Sequence, residues 1–200
     1  MEPFVSVQGI AAALTLPNLD TDQIMPKQFL RGIDRQGLSS GVLYELRFDP
    51  AGVPRAEFVL NQPPWTSASF LVVGPNFGCG SSREHAVWGL RELGIRAVIG
   101  TSFGGIFSDN CARNGVPALS LPAHHVDRLS ALIQDPTRCE LRVDLQHQEV
   151  VSLGDGVHVP IEIDPWQRDM LMQGLDPVGM TLTQAQSIRD FEARAGSALD

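Results

Sequence analysis

The sequence predicts an α/β fold with a mixed, partly parallel sheet, and a few local patterns carry that reading. Two short apolar runs, FLVVG at 70–74 and RAVIG at 96–100, have the length and composition of strands buried on both faces. Each is followed by a helix-period segment, and a third strand pattern stands at 118–121, so strand and helix alternate at the spacing of parallel crossover units. Beyond residue 139 short β-rich segments joined by tight turns take over, which adds an antiparallel extension.

Taken in order, the first seventy residues are less regular, and Pro63, Pro64 and Trp65 read as an exposed connection. After the 70–74 strand, residues 83–93 place Ala86, Leu90 and Leu93 near one helical face, with Gly94 as a C-terminal cap. A second helix spans 103–114 and ends at Gly115; another lies around 125–134. Segments 140–145, 149–153 and 157–163 are the β-rich ones. Asp164 and Pro165 form an N-cap and first-turn proline, opening a helix that Gly174 closes, and a last amphipathic helix begins at Thr183.

With 200 residues, 43% hydrophobic and 19% charged, the chain buries one sizeable core and reads as a single domain over 1–200. A net charge of -8 without any Lys/Arg run argues against a nucleic-acid stripe or a basic membrane-binding face. The N-terminus lacks a basic, apolar leader pattern and no run has the length of a membrane span, so the cytoplasm is the expected location. Cys79, Cys111 and Cys139 are odd in number and widely separated, which predicts reduced thiols rather than a disulfide framework or paired zinc ligands.

The most informative segment is 74–86, GPNFGCGSSREHA, which leaves a buried strand, turns through three glycines and enters a helix. Backbone N–H groups at the helix start, the positive end of the helix dipole and Arg83 would converge there on a carboxylate or phosphate. A plainer account stands beside this one, since Ser81 and Glu84 have the spacing of a capping box. Gly78-Cys79-Gly80 is not followed by the third glycine of a dinucleotide site, and there is no Walker lysine. A Cys79/His85 or Ser/His85 nucleophile pair stays open on composition, without a nucleophile-elbow motif to place it. His124 and His125 read as a solvated pair whose side chains point apart, and Asp20 and Asp22 as a turn with one functional carboxylate rather than a cation site.

The same segment resembles the signature of the swivelling domain of aconitase-like enzymes, most closely the small subunits of the isopropylmalate isomerase family. Residues 18–30 (NLDTDQIMPKQFL), 58–63 (FVLNQP), 102–115 (SFGGIFSDNCARNG) and 174–182 (GLDPVGMTL) resemble further family segments in family order. The resemblance implies a swivelling β/β/α domain and a hydro-lyase that interconverts 2- and 3-isopropylmalate, as in leucine biosynthesis. It further implies a large partner subunit, in a heterodimer or heterotetramer, that carries a 4Fe-4S cluster on its own cysteines, so that this chain binds no metal itself. A small dicarboxylate is then the substrate. Carried over residue by residue, Ser81 is the catalytic base, held as an alkoxide. Ser82 and Arg83 bind or orient substrate, Asp22 is an active-site carboxylate, and Arg31 lies in the substrate-selecting loop 27–33. The chain departs from the family at 166–173 (WQRDMLMQ) and at Gly104-Gly105, where Ala-Asp is usual. Those departures leave open a paralogue acting on 2-methylmalate or a dimethylmaleate-like acid, and a non-catalytic binding domain is the rival from another class.

Overall fold

The computed structural model describes residues 1–30, 36–81 and 83–196. Its centre is a seven-stranded sheet in the order β4-β3-β2-β1-β5-β6-β7. The strands are β1 (Ser6–Leu14), β2 (Phe70–Val73), β3 (Ala97–Gly100), β4 (Ala118–Ser120), β5 (Glu140–Asp144), β6 (Glu149–Ser152) and β7 (His158–Pro160). The mixed sheet expected from the sequence is present: β1 through β4 pair in parallel, and β1, β5, β6 and β7 pair antiparallel. β1 belongs to both halves. Its residues 6–10 run against β5 and its residues 11–14 run beside β2.

β2 and β3 are buried at every position, as their unbroken apolar runs require, because helices cover both faces of a parallel sheet. α3 (Glu84–Glu92) follows β2, α4 (Gly105–Arg113) follows β3 and α5 (Ala123–Leu132) follows β4. Gly94 and Gly115 take the left-handed backbone that ends α3 and α4, in line with their expected capping roles. α5 begins two residues earlier than its periodicity indicated.

Several expectations need correction. Trp65 is not in an exposed connection: it is buried, and its Nε1 donates to the Ile133 carbonyl at 3.0 Å across the end of α5. β1 has no periodicity to detect, since Ala11, Ala12 and Leu14 all lie in the core where the two sheet halves meet. Near the C-terminus α6 (Pro165–Gln173) has the expected Asp164 cap, accepting from Gln167 N–H at 2.9 Å, and stops at Gly174. The last helix expected from Thr183 is present, beginning at Ala185, and an additional short helix, α7 (Pro177–Leu182), precedes it. Asp176 caps α7 in the same Asp-Pro manner, and the last helix is α8 (Ala185–Gly196).

Candidate active site

The loops after β1, β2 and β3 leave the carboxyl ends of parallel strands, the side on which open α/β sheets place their ligand sites. Here they are laced together by backbone bonds. Asn18 N–H donates to Pro75 O, Gly78 N–H to Leu19 O at 2.7 Å, and Thr21 N–H to Cys79 O at 2.9 Å. On the other side Phe77 N–H donates to Ser102 O and Gly104 N–H to Phe77 O. Such close approach depends on glycine. Gly78 has φ +72°, and a Cβ there would lie 2.2 Å from the Phe107 ring. At Gly104, one of the departures from the family pattern, a Cβ would meet Gly78 O at 2.3 Å, whereas Gly105 faces open space.

A one-turn helix, α1 (Thr21–Ile24), carries Asp22 into this cluster. Asp20 caps it, accepting from Gln23 N–H at 2.7 Å while the Gln23 side chain returns to Asp20 N–H at 3.0 Å. The Asp20–Asp22 turn is therefore a cap plus one further carboxylate. That carboxylate forms an ion pair with the Arg83 guanidinium. Arg83 is mostly buried, with 14% of its side chain exposed, while Asp22 keeps 45%. The two charges so meet at the mouth of the loop cluster.

Ser81 stands beside them. Thr21 Oγ1 donates to its carbonyl at 2.8 Å, tying Ser81 to α1, while the Ser81 hydroxyl is exposed and has no hydrogen-bond partner among the described residues. The capping box expected between Ser81 and Glu84 does not form. Arg83 occupies the N-cap position of α3 and makes no side-chain cap. Glu84 turns instead to Asn114, whose Nδ2 donates to its Oε1 at 2.8 Å. Ser82 and Arg31 lie outside the described residues.

The other candidates separate. Cys79 directs its Sγ toward Asn18 O at 3.5 Å and His85 stacks on Trp88 with ring centroids 4.6 Å apart, so a Cys79/His85 nucleophile pair is not assembled. His124 and His125 do not point apart as expected, for their rings lie 4.0 Å from each other. Rotation about Cα–Cβ in the first turn of α5 brings the rings together. The three cysteines are free, and burial pushes the Cys111 thiol far up, keeping it neutral and a poor ligand. Among the described residues no group of three His, Cys, Asp or Glu side chains is placed to hold a metal ion, so the residues present here do not fit an iron–sulfur cluster. No helix of the described residues is long and apolar enough to cross a membrane.

A parallel sheet whose carboxyl-end loops hold a Ser-Arg-Asp constellation defines a class, and a family model described as the aconitase C-terminal domain matches residues 1–124. Whole-chain relatives narrow it. 3-Isopropylmalate dehydratase small subunit 1 of Mannheimia succiniciproducens is 49% identical over 96% of this chain and 94% of its own length. Small subunit 2 of Salmonella typhimurium is 47% identical over 96% and 91%, and the small subunit of Rhodospirillum centenum 44% identical over 97% and 95%. The crystal structure of 3-isopropylmalate dehydratase from Methanocaldococcus jannaschii superposes with a TM-score of 0.66 at 25% identity, covering 93% of this chain and 99% of that one. The chain belongs to the 3-isopropylmalate dehydratase small-subunit family.

Proposed function

We propose that this chain, as one swivelling domain in the cytoplasm, joins a large subunit to interconvert 2- and 3-isopropylmalate by dehydration and rehydration. The relatives' names support the substrate, and the unformed capping box supports the site: Ser81 keeps a free hydroxyl next to Arg83 and the uncapped start of α3. The partner's 4Fe-4S cluster would supply Lewis acidity toward the departing hydroxyl, chemistry that the cysteines of this chain are not arranged to provide.

The remaining work falls to this chain's own side chains. A serine hydroxyl becomes a usable base only where its anion is stabilised, and the positive end of α3 with the Arg83 guanidinium offers that field. Ser81 Oγ takes the proton next to a substrate carboxylate during dehydration and returns it during rehydration. Arg83, with its two-pronged geometry, holds a substrate carboxylate, for which the exposed Asp22 must give up part of its pairing. Ser82 and Arg31 complete the substrate contacts in this reading.

Co-production with a large subunit and anaerobic cluster loading tests the assignment. Dehydration of isopropylmalate is expected from the complex and not from either subunit alone. Turnover by this chain alone, or a complex that prefers 2-methylmalate by a wide margin, overturns it.

A further inference from the structure

The rejected capping box leaves a question about what holds the start of α3, since the reactive segment 81–83 enters that helix with no side-chain cap from Arg83. The answer lies at the far end of α4. Asn114, only 4% exposed, spends its whole amide on neighbours. Its Nδ2 donates to Glu84 Oε1 and to Asn110 O, both at 2.8 Å, and its Oδ1 accepts from Trp88 Nε1 at 3.0 Å. Glu84 is the first residue of α3 and Trp88 stands one turn later on the same face. One amide therefore grips two successive turns of α3 and locks them to the C-terminal turn of α4.

We propose that Asn114 is a positioning residue for the reaction: through Glu84 it fixes the first turn of α3 and thereby the placement of Ser81 and Arg83. With Arg83 at the N-cap, Glu84 is the first helical position rather than the third, and its carboxylate reaches across to α4. Asn114 holds that carboxylate and so anchors the first turn of α3 to the end of α4. A second tether joins Thr21 Oγ1 to Ser81 O, so Ser81 is held from α1 while the start of α3 is held from α4. A shift of about 1 Å at such a support costs on the order of 10²-fold in rate. The proposal rests on the hydro-lyase reading above.

The test uses the reconstituted complex. Asn114→Asp sets a carboxylate against Glu84 where a donor now stands, and Glu84→Gln in the same chain restores the bond between positions 84 and 114 with donor and acceptor exchanged, the donation to Asn110 O alone staying lost. The single change is expected to lower kcat by about 10- to 100-fold with KM changed by less than about threefold, and the double variant to recover to within about threefold of wild type. Glu84→Ala, which introduces no repulsion, is expected to lower kcat by about tenfold if Asn114→Asp fails to fold. With 15N-tryptophan in this chain only, the Trp88 indole N–H resonance, identified with Trp88→Phe, should move in Asn114→Asp and return toward its place in the double variant. A double variant that stays as slow as the single one overturns the proposal. So does wild-type kcat in Glu84→Ala, or an unmoved Trp88 resonance in Asn114→Asp. An inactive wild-type complex overturns the hydro-lyase reading itself, which the resonance does not depend on.

Discussion

β1 takes part in both halves of the sheet, and the halves put the same strand to different use. Along residues 11–14 it lies beside β2, and the loop beyond it is bound by backbone bonds to the loop after β2, which is bound in turn to the loop after β3. Along residues 6–10 it faces β5, beyond which β6 and β7 return through tight turns and polar surface pairs such as His158 with Glu149 at 2.7 Å. Parallel strands send all their carboxyl ends to one edge, so polar groups from distant parts of the sequence gather there. Antiparallel neighbours alternate direction and scatter theirs. The parallel half therefore holds the proposed site, and the antiparallel half extends the core through Leu141, Val143, Val150 and Val159.

Substitutions sharpen that contrast, beginning with the largest effect. Ser81→Ala is expected to lower kcat of the complex by about 10²- to 10⁴-fold, the usual contribution of a positioned base. Its thermal midpoint should stay close to wild type, because the hydroxyl caps nothing. Near-normal turnover would remove Ser81 from the reaction. Arg83→Lys exchanges a two-pronged donor for a point charge, and catalytic efficiency should drop about 10- to 100-fold, the loss of a charge-assisted hydrogen bond.

Gly78→Ala acts on stability instead. Positive φ and the Phe107 ring together should cost about 2 kcal/mol or more, read in denaturant unfolding. An unchanged midpoint would mean that the loops are not packed as tightly as the geometry indicates.

The antiparallel half should respond weakly and through acid rather than through rate. Burial works to raise the Asp144 carboxyl, but the His147 backbone N–H, the His147 ring and the Ser6 hydroxyl outweigh it and hold the group below the ordinary carboxylate range. A lowered folded-state value means stability that is present above the ordinary carboxylate pKa of about 3.9 and is lost as pH falls through the lower one. Asp144→Asn should therefore flatten the acid limb of the stability profile while leaving kcat unchanged. A large fall in kcat would break the division between the halves. Smallest of all, His158→Ala should change stability by less than about 1 kcal/mol, as exposed pairs do.

Much of this architecture was written in local pattern. The unbroken apolar runs of β2 and β3, the glycines that end α3 and α4, and the Asp-Pro start of α6 act over a few residues, where propensity and periodicity operate directly. The glycine-rich run at 74–86 likewise shows in local pattern as a turn between β2 and α3. β1 stayed illegible because its half beside β2, Ala11 to Leu14, is alanine-rich and largely buried on both faces, which leaves no clear alternation there.

Tertiary structure alone decided what the side chains do. Ser81 and Glu84 have capping spacing, but α3 begins at Glu84 with Arg83 at its N-cap, so no box forms, and Glu84 pairs instead with Asn114, thirty residues on. Trp65 has its partner at Ile133, 68 positions away, and Asp22 meets Arg83 across the joined loops. Local sequence sets which hydrogen bonds a residue is able to make; which of them it does make depends on donors and acceptors that only folding brings within reach.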